Sequence, residues 1–302
     1  MVSVIVTTYN EEKNIADCLK SILDQTRKPD EIIVVDDGSQ DKTVEIVSKF
    51  PVKLIKTEHR ERSHARNIGW KEAKGDIVCF AEADCIFNKI WLEEILKTFQ
   101  KGADAVIYRL KVYQPKTFLQ RCLEAQFDIR YAHYKPFSAW AFKKHVLEDV
   151  GGYDEKLNQA EERDLGKRIF KAGYKILLAK KAIHYHKGEP QNTKELIKRA
   201  FVSAKRKASG YFRKYPKEFS YLKPLFFIGL LIILILSVIS LYFLYAFGIL
   251  LVFTYLAIYF RIAVKEKGWT ATAKKYIFGL AFFRLLAAFA SSLGSIVGKF
   301  SP

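Results

Sequence analysis

Charge is missing from one long stretch of this chain: residues 224–260 carry no Asp, Glu, Lys or Arg, 37 residues in succession. One helical membrane crossing takes about 20 apolar residues, so the run is nearly twice one span, and its length argues against an ordinary buried helix. It reads as a helical hairpin, 224–243 and 245–260, turning near Ala246-Phe247-Gly248. Cysteine is scarce as well. Cys18, Cys79, Cys85 and Cys122 are the four in 302 residues, and their spacing matches no metal-binding pattern. They are read as structural and, on a cytosolic face, reduced. A secretory leader is lacking: "MVSVIVTTYNEE" has no basic start, and its short apolar run meets Asn10-Glu11-Glu12 at once. The N-terminal part is therefore expected in the cytosol. Internal repeats and low-complexity tracts are absent too.

What is present divides into two regimes. Half of the residues are hydrophobic, yet 27% are charged and the formal net charge is +18. Such a balance suits either nucleic acid or an anionic membrane surface. Position decides between them. From Lys187 to Lys223 there are eleven Lys or Arg against three Glu, and the loop 261–275 is again basic, so the positive charge flanks the apolar run. No nucleic-acid recognition motif accompanies it, and no nucleic-acid partner is expected. Residues 276–298 are apolar apart from Arg284 and are expected to span or to lie in the interface. The stretch 194–207 places Leu196, Ile197, Ala200, Phe201 and Ala204 on one helical face beside Lys198, Arg199, Lys205 and Arg206, the pattern of an interfacial helix. Residues 116–135 show a weaker amphipathic pattern that suits either an interfacial or a packing helix.

The first 110 residues alternate strand and helix signals. Apolar β-branched runs at Val2–Thr8, Glu31–Asp36, 52–56 and 76–81 predict strands. Helical spacing falls at 11–25, 63–73 and 90–99, with a further helix carrying Val44, Ile46 and Val47. Strands that are apolar throughout and alternate with helices predict a mostly parallel α/β sheet covered on both faces. The expected organisation is an α/β domain over 1–190, a basic amphipathic segment over 191–222, and a membrane part over 223–302 with two or three transmembrane helices.

Ligands of such sheets bind beyond the carboxyl ends of the strands. Three predicted strand ends carry polar clusters: Thr7-Thr8-Tyr9-Asn10-Glu11, Asp36-Asp37-Gly38-Ser39 and Glu82-Ala83-Asp84. Each alone is an ordinary turn or surface bend. At successive tips of one sheet they form an acidic place in a basic protein, which implies a bound cation. A nucleoside diphosphate fits, because its phosphates need a hard divalent cation held by one or two carboxylates. In an extended segment residues i and i+2 share a face, which would turn Glu82 and Asp84 to the ligand and Ala83 inward. Asp36 or Asp37 can accept hydrogen bonds from a base or ribose, and Tyr9 can offer its ring.

These stretches resemble family 2 glycosyltransferases of the GT-A fold. The residues that carry the resemblance are "VSVIVTTYNEEKNIADCLKSIL", "PDEIIVVDDGSQDKT", "HARNIGWKEAKGD", "FAEAD" and "GGYDEKLNQAEERDLGKRIFKAGYKI", together covering roughly residues 1–190. The resemblance implies a metal-dependent transfer of sugar from a nucleotide-sugar. It assigns the nucleotide contacts to Thr7, Tyr9, Glu11, Asp36, Asp37, Arg66 and Ala83, with Arg66 supporting the diphosphate. It assigns Mn²⁺ or Mg²⁺ to Asp84 and Glu82, with His186 or His184 near the cation. Glu162 takes the place of the catalytic base, beside Glu161 and its helix-phase neighbour Asp164.

Two residues depart from the family pattern. Glu82 stands where the family has Asp, which displaces the carboxylate by about 1.5 Å. Glu161-Glu162 replaces a Glu-Asp pair. The implied reaction is a single inverting displacement in which Glu162 takes the proton of an attacking hydroxyl. A phosphate acceptor, with a second pKa of about 6, is already ionised and needs no base, so the retained carboxylates favour a hydroxyl acceptor. The Gln-x-x-Arg-Trp signature of processive members is missing from "KRAFVSAKRKASG", which predicts addition of one sugar. The expected acceptor is a lipid or a polyprenyl-linked saccharide at the cytosolic face of the cell membrane. The alternatives are polyprenyl phosphate as acceptor and a non-catalytic nucleotide-binding scaffold. Arg199 and Arg284 are the candidates to meet a lipid phosphate, although Arg284 near a helix end can equally snorkel.

Overall fold

The computed structural model describes residues 1–132, 139–157, 159–218, 241–263 and 276–299, together with 226, 229 and 232. It divides into two compact units, Met1–Tyr113 with Tyr134–Gly188, and Gln114–His133 with Glu189–Pro302.

The first unit is built on an eight-stranded sheet: β1 (Val2–Thr8), β2 (Glu31–Asp36), β3 (Lys53–Lys56), β4 (Ile77–Glu82), β5 (Cys85–Phe87), β6 (Ala105–Val112), β7 (Ala141–Lys143) and β8 (Ile176–His186). Their spatial order is β3-β2-β1-β4-β7-β6-β8-β5. β3, β2, β1 and β4 run parallel, so their carboxyl ends share one edge; β7 is antiparallel to both β4 and β6, and β5 to β8. The result is a mixed open α/β sheet. Val4, Val6, Ile33, Val34 and Val35 are wholly buried, as strands covered on both faces require.

The helices α1 (Ile15–Leu23), α2 (Thr43–Val47), α3 (Arg62–Glu72) and α4 (Trp91–Gln100) follow the predicted periodicity. On α1, Ile15, Cys18, Leu19 and Ile22 form the buried stripe, and on α4 Trp91, Leu92, Ile95 and Phe99 do so, the i, i+3, i+4 pattern of a helix laid on a sheet. After α5 (Phe118–Ala132), which belongs to the other unit, α6 (Lys144–Val150) and α7 (Glu161–Lys171) complete the first.

The second unit adds α8 (Thr193–Ser209), α9 (Tyr211–Lys214), α10 (Leu241–Ala263) and α11 (Ile277–Lys299) to α5. Asn192 caps α8 in both senses: its side chain accepts from the Glu195 amide at 3.0 Å and donates to the Glu195 carboxylate at 2.7 Å, a reciprocal box that closes the first turn. Cys122, Ala125 and Ile129 of α5 share a small core with Leu280 and Ala281 of α11. The backbones of α11 and α8 approach so closely that a Cβ on Gly294 or Gly298 would overlap the carbonyl oxygens of Phe201 and Lys205.

α10 runs unbroken through 246–248, so the hairpin turn expected there is absent. A single Gly248 costs a helix only about 1 kcal/mol, and no proline lies nearby to stop it. The expected span at 224–243 falls almost wholly outside the described residues. Among the described residues no helix is long and apolar enough to cross a membrane.

Candidate active site at the strand tips

β4 ends at Glu82 and β5 starts at Cys85, so Ala83 and Asp84 form a tight turn. The extended alternation expected for Glu82-x-Asp84 does not occur; the turn brings the two carboxylates together instead, with Ala83 buried beneath. β8 lies antiparallel to β5 with His186 opposite Cys85, which delivers an imidazole to the same point. Its Nε2 stands 2.9 Å from Asp84 Oδ2. Ligand atoms of Glu82, Asp84, Cys85 and His186 all lie within 4.8 Å of one another. A Cβ on Gly188 would stand 3.0 Å from the His186 ring and 3.2 Å from Asp84, so glycine keeps the space over the pair open. Burial opposes the charge of Asp84, yet His186 and the Cys85 thiol hold its carboxyl below the usual range. Burial raises Glu82, reinforced by Asp84 and opposed by Arg66. Burial likewise raises Glu11, whose carboxylate accepts from Asn14 at 2.7 Å. Two carboxylates and an imidazole fit a divalent cation such as Mn²⁺ by donor chemistry.

A second carboxylate pair sits at the start of α7. Ala160, just before it, is held at φ 65°, a conformation rare for a residue with a side chain. Glu161 is 1% exposed and Glu162 17%. Between this pair and the cation cluster lies Arg66, fully buried, its guanidinium 4.8 Å from the Trp140 ring and 5.1 Å from that of Tyr153. It reaches Glu161 at 3.1 Å, Glu162 at 3.3 Å and Glu82 at 3.4 Å. Arg62, one turn earlier on α3, stands 3.5 Å from Glu161 and 3.9 Å from Glu82. Burial and the neighbouring Glu162 push the Glu161 carboxyl up to about 7, against both arginines. Burial also opposes the charge of Glu162, but Arg66 and Arg62 prevail and hold it below the usual carboxylate range. At neutral pH the deep acid therefore carries much of the proton, and Glu162 is the ionised member of the pair.

At the tips of β1 and β2, Tyr9 is 42% exposed and stacks on His59 at 4.1 Å between centroids and 20° between planes. His59 Nδ1 in turn meets Asp37 Oδ2 at 2.8 Å, and Asp37 Oδ1 accepts the Arg60 amide at 3.0 Å. Thr7 is half-buried on the same edge.

Several expected contacts are otherwise engaged. Asp36 accepts from the amide and hydroxyl of Ser39, closing the turn with its own side chain. Arg66 faces three carboxylates, not an open cleft. Asp164 is buried and accepts from Arg168 at 2.9 Å and 2.8 Å, while Arg168 donates to the carbonyls of Val150 and Gly152. It braces the preceding loop and stays out of the acid pair. Of the two histidines, His184 lies buried against Tyr108 and Phe87 with its pKa driven by burial down to about 3, leaving His186 at the cluster. Arg199 meets Glu189 at 3.2 Å, and Arg284 is half-buried on α11. Arg62, His59 and the Cys85 thiol are brought to the site without having been expected there. The charge of Arg62 one helical turn before Arg66 is the signal that sequence offered.

Comparison with known proteins agrees with this geometry. Residues 3–150 match the family model described as glycosyl transferase family 2. The chain is 31% identical over 216 residues to glycosyltransferase AglE of Haloferax volcanii, covering 66% of this chain and 70% of that protein. It is 28% identical over 218 residues to the glucosyl-dolichyl phosphate glucuronosyltransferase of the same organism, covering 62% and 69%. Among solved structures, the mannosyltransferase PcManGT of Pyrobaculum calidifontis, in complex with GDP-Man and Mn²⁺, superposes with a TM-score of 0.55 at 24% identity over 72% of this chain and 65% of that one. That likeness is one of fold, the GT-A fold. By sequence relationship, the chain belongs to glycosyl transferase family 2 and is a glycosyltransferase.

Proposed function

We propose that this chain moves one sugar from a UDP- or GDP-linked donor to a hydroxyl of a lipid or lipid-linked saccharide, in a single inverting displacement. The observation that carries the reading is the pairing of two acidic centres: Glu82, Asp84 and His186 at one end, Glu161 and Glu162 at the other, with Arg66 between. A divalent cation, Mn²⁺ or Mg²⁺, held by Asp84, Glu82 and His186 would neutralise charge on the departing diphosphate. Tyr9 offers its exposed face to the base, and Asp37 accepts hydrogen bonds beside it. Glu162, ionised and reachable, removes the proton of the acceptor hydroxyl as it attacks the anomeric carbon. Glu161 is too deeply buried to touch substrate; its proton limits repulsion beside Glu162.

The lipid side of the reading is supported by apolar exposure. Ile249, Val252, Phe253, Leu256 and Phe260 are exposed on one stripe of α10, where water gives them no favourable contact. The charge-free run 224–260 and the basic α8 point the same way. This supports a multi-pass protein of the cell membrane with its catalytic part on the cytoplasmic side. The relative named glucosyl-dolichyl phosphate glucuronosyltransferase adds to it.

The test is a donor screen of the purified full chain with Mn²⁺ or Mg²⁺, with polyprenyl-linked saccharides offered in vesicles. Release of one nucleoside diphosphate, dependent on cation and acceptor, is the expected result. An acid-labile sugar monophosphate as product would replace the hydroxyl acceptor by a phosphate. Absence of turnover with every donor, in a folded chain, would reject the reading.

A further inference from the structure

We propose that Arg62 and Arg66 are positioning residues that couple cation binding at Glu82 and Asp84 to the charge on Glu162. The proposal rests on the sugar-transfer reading above and adds to it a link between the two ends of the site. Arg66 cannot turn to water: it is 1% exposed and held between the Trp140 and Tyr153 rings. Its positive charge has three carboxylates within 3.4 Å, two on the acid-pair side and one on the cation side. Arg62 repeats the bridge more loosely, joining Glu161 to Glu82 with a side chain that is 38% exposed. Two neighbouring elements bend to build this arrangement. Glu61 directly before Arg62 has φ 72°, and Ala160 directly before Glu161 has φ 65°. Residues with side chains hold such angles only where the surroundings impose them.

The coupling follows from the geometry. A cation that draws on the Glu82 carboxylate leaves Arg66 with Glu162 as its ionised counter-charge, and the guanidinium then leans on it. Conversely, when Glu162 is neutral, Arg66 turns its charge to Glu82 and competes with the cation. Such a linkage is reciprocal for binding free energies. A planar guanidinium with five donors can serve both sides at once, whereas a lysine serves one.

The measurement is the affinity of the full chain for Mn²⁺ without donor, read from the loss of the free-ion electron paramagnetic resonance signal. Glu162→Gln should weaken Mn²⁺ binding roughly three- to tenfold, whereas Glu161→Gln, which imitates the protonated acid, should leave it within twofold. In an Arg66→Lys background the Glu162→Gln effect should fall below twofold. The direct field of Glu162 on the ion persists in that background, so a reduced effect there isolates the arginine. If Arg66→Lys does not fold, Arg62→Gln takes its place, since a partly exposed side chain is more dispensable; Arg62 also holds Glu162 ionised, so the effect of Glu162→Gln must then shrink. The proposal is overturned if Mn²⁺ binds but Glu162→Gln leaves its affinity within twofold. It is equally overturned if the effect is undiminished in the arginine variants. A folded wild-type chain that binds no Mn²⁺ would sink the cation reading and this coupling together.

Discussion

The two units of this protein break the ordinary rule of burial in opposite directions. The sheet unit hides charge: Arg66 and Glu161 are each 1% exposed, beside the partly covered Glu82 and Asp84. The helical unit exposes apolar surface, with Phe253, Phe260 and Val252 about 60% open on α10. Buried charge and a large exposed apolar stripe are the informative departures in a folded chain. The first is tolerable only with counter-charges at hydrogen-bonding distance, which the strand tips supply. The second is tolerable only against something other than water. On the proposed reading, one unit serves an ionic ligand and the other an apolar neighbour, which is the division a transferase with a lipid acceptor needs.

The sharpest way to break that division is to disable the ionic half alone. Asp84→Ala removes the carboxylate that pairs with His186 at 2.9 Å. It should lower kcat/KM about a thousandfold and abolish measurable Mn²⁺ binding, while leaving association with lipid vesicles intact. Near-normal turnover would place the reacting diphosphate elsewhere. A narrower cut is Glu162→Gln at saturating Mn²⁺. Loss of the base should cost about a hundredfold in kcat with the donor KM unchanged. A rise in donor KM at constant kcat would instead make Glu162 a donor-binding group.

How far the site is legible in the sequence depends on the reach of each contact. β1, β2 and β4 coincide with apolar runs, and their polar tips lie next to them in the chain, so a local pattern suffices. The meeting of Glu82 and Asp84 is also legible, although the reason differs: a turn at Ala83-Asp84 unites them, not strand alternation. Arg66 is another matter. It meets Glu82 16 residues away but Glu161 and Glu162 95 and 96 residues away, and no periodicity encodes which buried acid will face a given arginine. Asp36 and Asp37 show the same limit from the other side. Adjacent and alike in sequence, they part because the first closes a turn with Ser39 while the second faces His59. In the helical unit, the Gly294-x-x-x-Gly298 spacing was present inside an apolar run that reads first as a membrane signal. Its packing role emerges only with α8 alongside.

That spacing offers the reverse cut, against the apolar half. A leucine at position 294 would place four carbons where the Phe201 carbonyl now lies, forcing α11 and α8 apart. Gly294→Leu should cost the helical unit about 3 kcal/mol, at the upper end for overpacking, and should reduce vesicle association. Metal-dependent donor hydrolysis by the sheet unit should survive. Equal loss of hydrolysis and vesicle binding would show the two halves to be energetically one.

The finest test returns to the paired acids. Burial and Glu162 push the Glu161 carboxyl up to about 7, against about 4.3 in an unfolded chain. Between those values the folded state binds a proton that the unfolded state has lost. The stabilisation carried by the protonated form is therefore complete below about pH 4.3 and disappears as pH rises through 7. Glu161→Gln keeps a neutral side chain at every pH and escapes that loss. Relative to wild type, the variant should gain about 2 kcal/mol between pH 5 and 8, a relative rise in unfolding midpoint of roughly 4–8 °C over that range. A difference that stays flat with pH would mean that Glu161 is ionised throughout. The arginines would then be neutralising both acids, and the proton that separates the deep carboxylate from the open one would not be there.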